Sequence, residues 1–74
     1  MFSYKPFFKL LIDRDLTREQ VRKKIGASLA TFAKLPKGEP VSLEIIGKIC
    51  GVLNCRIEDV VEYIPDDSTD SPKP

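Results

Sequence analysis

The stretch Lys23–Gly38, KKIGASLATFAKLPKG, constrains this chain more than any other. A glycine stands between two short helical runs, and only Ala27 separates it from Ser28, a good helix N-cap. The run before the glycine has a clear start. Thr17 and Gln20 form a T-x-x-Q capping-box pattern, and Leu16 ahead of the cap is placed to staple onto Val21. The pattern predicts a helix from Arg18 to about Lys24 or Ile25, with Val21 and Ile25 inward and Arg18, Arg22 and Lys23 outward. Gly26 then suits the C′ position, where a left-handed backbone is cheapest without a Cβ. After Ser28 the run LATFAKL turns Phe32 and Leu35 to the core, and Pro36 stops it near Leu35.

The flanking sequence is helical as well. Pro6 fits the first turn of a helix, where a missing N–H costs nothing. FFKLLIDR follows with Phe7, Leu10 and Leu11 on one face and Phe8 and Ile12 at its edge; Asp15 and Leu16 end it. KGEP reads as a turn, and Ser42 caps LEIIGKICGVL, whose Leu43, Ile46, Ile49, Cys50 and Leu53 make a stripe of helical period. Asn54 suits the C′ position there. A short fifth helix is expected over Ile57 to about Val61, helped by Glu58 and Asp59 at its positive end. VVEYI also reads as a strand, as does MFSY at the other end, and the two could pair within one chain or between two. PDDSTDSPKP, without apolar residues beyond its prolines, reads as disordered. The expected division is therefore one domain over residues 1–64 and an acidic, proline-rich tail over 65–74.

The full 74 residues allow one domain, near the lower size limit for a single unaided core. An apolar fraction of 42% with 31% charged residues is that of an ordinary globular chain. No apolar run approaches the roughly 20 residues a membrane helix needs, and the N-terminus does not resemble a signal peptide, so no membrane role and a cytoplasmic location are expected. Cys50 and Cys55 are spaced C-x4-C in a chain with no histidine, too few ligands to close a zinc site. They are expected to be small buried apolar side chains. No cofactor is expected. The chain shows neither a Gly-rich phosphate loop nor a nucleophile with an evident base, and an enzyme is not expected.

Net charge is only +1, but it is unevenly spread. Between residues 14 and 37, Arg14, Arg18, Arg22, Lys23, Lys24, Lys34 and Lys37 face only Asp15 and Glu19. A helix, a tight glycine turn and a second helix crossing steeply make a helix-turn-helix motif, over about 17–35 here. Its second helix, about Ser28–Leu35, would project into a DNA major groove while the first braces against the backbone, and small residues at Ala30 and Ala33 permit close approach.

The stretch LTREQVRKKIGASLATFAKLPKG followed by VSLEIIGKICGVLNCRIEDVV resembles the Cro- and phage-repressor-like, or XRE-type, helix-turn-helix regulators. Leu16, Thr17, Val21, Gly26, Ser28, Thr31, Phe32, Leu35 and Gly38 stand at the marked positions of that family's pattern. Ser42, Leu43, Ile46, Ile49 and Leu53 continue it, and the likeness covers about residues 7–61. The ends MFSYKPFFKLL and DVVEYIP are similar to a small bacterial subgroup of little more than the DNA-binding domain. The resemblance implies an all-α, lambda-repressor-like bundle of five short helices, with short strands at the termini as an option, that binds double-stranded DNA sequence-specifically, as a repressor and usually as a dimer. It implies a DNA-contacting set of Arg18, Ser28, Leu29, Ala30, Thr31, Lys34 and Lys37. Arg18 falls where the family often uses glutamine against a phosphate, and Lys37 in the turn that often meets the sugar-phosphate chain. Leu29 and Ala30 depart from the pattern, being apolar where polar base readers are usual; direct readout then leans on thymine methyls, Thr31 and Lys34.

Other readings stand beside these. The basic cluster also fits a solvated helix face, and the Thr31 hydroxyl a bond back to a helix carbonyl. Phe2, Tyr4, Tyr63 and Ile64 either close the core of one chain or build a homodimer contact by strand pairing. An alternative function is a protein–protein module, such as an antitoxin-like partner, that retains the fold and binds through the apolar Leu29 and Ala30.

Overall fold

The computed structural model describes residues 1–65. The expected disordered tail lies outside the described residues from position 66 onward. In chain order the elements are β1 (Phe2–Ser3), α1 (Lys5–Asp13), α2 (Arg18–Ile25), α3 (Leu29–Ala33), α4 (Leu43–Leu53), a 3-10 helix (Ile57–Asp59) and β2 (Glu62–Tyr63).

Helix starts follow the capping residues. Thr17 and Gln20 form the full capping box of α2: the Gln20 N–H donates to Thr17 Oγ1 at 3.1 Å and the Thr17 N–H to Gln20 Oε1 at 2.8 Å. Ser28 accepts the Thr31 N–H at 3.0 Å, and Ser42 accepts that of Ile45 at 3.2 Å. In α1, Tyr4 makes no side-chain cap, and Ser3 Oγ accepts the Lys5 N–H at 3.2 Å.

One device ends α1, α2 and α4 and closes the turn that follows α3. Asp15, Gly26, Gly38 and Asn54 hold left-handed backbones, with φ of 57°, 72°, 71° and 53°. In each case the next N–H reaches back five residues. Leu16 donates to the Leu11 carbonyl at 2.9 Å; Ala27 to Arg22, Glu39 to Lys34 and Cys55 to Cys50 each do so at 3.1 Å. These are Schellman-type ends, which satisfy carbonyls left open by the last turn and fold the chain back sharply.

The sharp returns gather the core. Tyr4, Phe7, Leu11, Val21, Ala27, Phe32, Leu35, Ile46, Ile49, Leu53 and Val60 are buried together. Phe7 and Phe32 meet edge to face with ring centroids 6.3 Å apart, so α1 seats the inner face of α3. Leu43, expected on the α4 stripe, and Ile12, expected at the edge of the α1 face, both stand in solvent. Ile12 is 78% exposed and Leu43 75% exposed. Ile12 lies past the edge of the α1 stripe, and Leu43 is the first residue of α4, where side chains lean back beyond the helix end.

Three further expectations are refined. Regular α3 stops at Ala33, short of Leu35: Lys34 and Leu35 donate to the Thr31 and Phe32 carbonyls, both at 3.2 Å, in tighter i→i−3 bonds. Pro36 has no N–H to continue the ladder and disfavours helical geometry at Leu35. The fifth helix is the three-residue 3-10 turn Ile57–Asp59, giving four α-helices; buried Val60 anchors its exit, and the chain then extends into β2. The two ends pair within one chain as an antiparallel ladder, Phe2 opposite Tyr63 and Ser3 opposite Glu62. Met1 and Ile64 close it with the Ile64 N–H on the Met1 carbonyl at 2.8 Å and the Met1 amine on the Ile64 carbonyl at 3.2 Å.

Candidate nucleic-acid interface

The α2–turn–α3 unit carries all seven residues expected at DNA, or leads directly out of it. Arg18 is the first residue of α2 and exposed. Ser28 is the N-cap of α3; Leu29, Ala30 and Thr31 make its first turn; Lys34 follows its last residue and Lys37 lies in the exit turn closed by Gly38. Leu29 is 68% exposed, an apolar side chain held out into solvent beside exposed Ala30. Lys34 and Lys37 are exposed as well. Phe32 and Leu35 are buried on the opposite side, so α3 has one anchored face and one free face.

The two hydroxyls at the start of α3 pair with each other. Ser28 accepts the Thr31 N–H at 3.0 Å, and the Ser28 and Thr31 hydroxyls share a hydrogen bond of 3.0 Å. One bond uses one of the two hydroxyl protons, and the other has no acceptor among the described residues. A carbonyl four residues back of Thr31 does not take it. Ser28 is occupied as a cap acceptor, and the pair retains one donor for a phosphate or base oxygen.

The basic cluster divides by role. Arg14 donates to the Leu53 carbonyl at 2.6 Å, tying the end of α1 to the end of α4. Arg22 donates through Nη1 to the Ala27 carbonyl at 2.9 Å and through Nε to Glu19 Oε1 at 3.0 Å, and its Nη2 meets Glu19 Oε2. That bond holds the residue between Gly26 and Ser28, so Arg22 braces the tight turn rather than facing outward as the sequence suggested. The hydrogen bond from Arg22 holds the Glu19 carboxyl below its ordinary range, and Glu19 raises Arg22 in return. The Glu19–Arg22 spacing, i and i+3 on one helix, is the sequence signal for this brace. Arg18, Lys23, Lys24, Lys34 and Lys37 form no ion pair among the described residues. Lys23 and Lys24, outside the expected set, are therefore further exposed cations of the same unit.

The exit turn is tightly seated. A Cβ at Gly38 would lie 3.2 Å from the Phe2 carbonyl oxygen, in addition to the positive φ. Tyr4, 4% exposed, donates its hydroxyl to the Glu39 carbonyl at 2.9 Å. Strand β1 and Tyr4 thus fix the segment that carries Lys37.

No helix among the described residues is long and apolar enough to cross a membrane. A family model for the Cro/C1-type helix-turn-helix DNA-binding domain matches residues 8–66. Among solved structures the chain is similar to the transcriptional regulator VanUg, with a TM-score of 0.85 and 46% identity over 88% of this chain and 87% of that one. No protein with curated annotation matches it significantly. A capped helix, a left-handed glycine turn braced by an arginine, and a second helix with one free face agree with that match, and the chain belongs to the family of Cro/C1-type helix-turn-helix DNA-binding domains.

Proposed function

We propose that this chain is a transcriptional regulator that reads duplex DNA sequence-specifically by inserting the start of α3 into the major groove. The observation that carries the reading is the free face of α3. Leu29 and Ala30 are exposed beside the paired hydroxyls of Ser28 and Thr31, with Lys34 and Lys37 following, on a helix whose other face is fixed by Phe32 and Leu35. Leu29 and Ala30 suit contact with thymine methyl groups, the Ser28–Thr31 hydroxyl pair donates to a base or phosphate oxygen, and Lys34 supplies charge. Arg18 at the start of α2, and Lys37 beyond α3, act on phosphates. Occupying a site on DNA suffices by itself to exclude other proteins, so the regulatory sense we propose is repression.

The proposed working unit is a homodimer joined through the terminal sheet. Met1 and Ile64 are the hydrogen-bonded pair of the ladder, so the backbone N–H and C=O of their neighbours Phe2 and Tyr63 point away from it. The Gly38 turn abuts the Phe2 carbonyl, whereas Tyr63 is 63% exposed. A second β2 laid antiparallel along that open edge pairs Tyr63 with its own copy. Phe2, 51% exposed and edge to face with Tyr63 at 5.6 Å, adds apolar surface. Tyr4 and Ile64 take little part, being buried and half-buried within the chain.

The test is DNA affinity of Arg18→Ala and Lys34→Ala against the parent across a salt series. Weaker binding with unchanged melting temperature supports these roles, and each lost phosphate contact lowers the log–log salt slope by about 0.9. Parental affinity at matched salt refutes them. The 68% exposure of Leu29 favours a second reading, a protein-binding module; it requires binding that is insensitive to salt and no preference among DNA sequences.

A further inference from the structure

We infer that Cys50 and Cys55 form a preorganised dithiol that chelates trivalent arsenicals and chemically similar thiophilic semimetal compounds. The spacing C-x4-C gains its meaning from Asn54. With Asn54 left-handed at φ 53°, the chain folds back and the Cys55 N–H bonds the Cys50 carbonyl at 3.1 Å. The two cysteines therefore occupy the positions whose side chains meet across a Schellman-type helix end. In α1 the same two positions are Leu11 and Leu16, which both pack into the core. Here they are thiols, and Cys50 is near enough to be among the groups that raise the Cys55 thiol. Both are free and half-buried, held in place yet open to a small reagent.

The chemistry of the pair selects the ligand. Burial first, and then the neighbouring Cys50, push the Cys55 thiol up to about 11, so it stays protonated at neutral pH. A protonated thiol is a poor nucleophile for disulfide exchange or peroxide. Divalent metals require thiolates and further ligands, and no group of three or more His, Cys, Asp or Glu side chains among the described residues is arranged to hold a metal ion. Trivalent arsenic condenses with protonated thiols directly. An arsenic(III) oxide unit, R–As=O, takes up two S–H groups; two As–S bonds form, both protons leave with the oxygen as water, and arsenic remains trivalent. No oxidant or reductant enters.

The experiment uses the whole reduced chain with phenylarsine oxide as the probe, followed by intact-mass measurement and thiol titration. The expected result is one phenylarsenic per chain with both thiols blocked, retained against excess monothiol and removed by a dithiol. Cys50→Ser and Cys55→Ser each lose the retention against monothiol. Because a short C-x4-C segment chelates weakly even when unfolded, the parent is also measured in urea. Preorganisation predicts retention at least about tenfold stronger in the folded state, or about 1.4 kcal/mol, and this readout does not depend on either variant folding. An adduct lost to monothiol, an arsenic bridging two chains, or equal retention by the folded and unfolded parent overturns the inference.

Discussion

Replacing Gly26 by alanine isolates the backbone requirement of the turn between α2 and α3. Nothing lies within 4 Å of a Cβ built at Gly26, so the substitution adds no clash. What it adds is a side chain at φ 72°, ψ 25°, a conformation that costs an L-residue about 1–2 kcal/mol. Alanine also restricts the unfolded chain, which returns about 0.4–1 kcal/mol. The net loss is on the order of 1 kcal/mol, and a melting temperature lower by about 4–8 °C for a domain of this size. Gly47 is the internal control. It lies inside α4, has no positive φ, and also has nothing within 4 Å of a built Cβ. There alanine stabilises by about 0.5–1 kcal/mol through lower backbone entropy in the unfolded chain. Thermal unfolding followed by far-ultraviolet circular dichroism should thus move in opposite directions for two chemically identical changes. A Gly26→Ala chain that melts at or above the parent would mean that the turn does not need a left-handed residue, and the helix-turn-helix geometry argued from it would fail.

Three further outcomes are expected. Tyr4→Phe removes the hydroxyl that holds the Glu39 carbonyl and should cost about 0.5–1.5 kcal/mol in urea unfolding, with no change in helical content. Tyr63→Pro removes the outward N–H of β2 without touching the ladder to β1; sedimentation should show dimer for the parent and monomer for the variant, both folded. The folded state holds the Cys55 proton more tightly than the unfolded chain does. Its contribution to stability is therefore complete below the ordinary thiol value of 9.0 and is lost as pH rises toward about 11. The difference between parent and Cys55→Ser in urea unfolding should shrink across that interval and stay flat below it.

Local signals made much of the fold legible in the amino-acid sequence. Thr17 with Gln20, Ser28 and Ser42 each cap a helix within three residues of themselves, and Gly26 and Asn54 mark ends by their own backbone preferences. Burial of Val21, Phe32, Leu35, Ile46, Ile49 and Leu53 followed from helical period. Features that depend on distant partners were not legible. Periodicity alone does not say where a buried face ends, so Leu43 was placed on the apolar stripe and Ile12 at the edge of one, although both stand in solvent. Pairing of β1 with β2 joins positions at opposite ends of the chain, and neither segment indicates whether its partner is its own chain or a copy.

The sequence marks the candidate interface as a location rather than as a division of labour. Seven basic residues in one stretch look equivalent when written out. In the fold, Arg14 serves the end of α4 and Arg22 the turn at Ala27, and Arg22 is the one of the seven that is ion-paired among the described residues. The destination of Arg14 is a carbonyl 39 residues away, beyond any local pattern. Cys50 and Cys55 were read as a C-x4-C pair of small apolar fillers, because the spacing by itself does not show that two residues five apart face each other across a helix end.

Selection of duplexes from a random pool by the purified chain, at near-physiological salt, tests the central claim most directly. The account predicts enrichment of an inverted repeat whose half-site centres lie about 10 base pairs apart, or a multiple of that, as two copies of α3 reading successive major grooves require. A pool that remains random after repeated rounds would contradict sequence reading by α3.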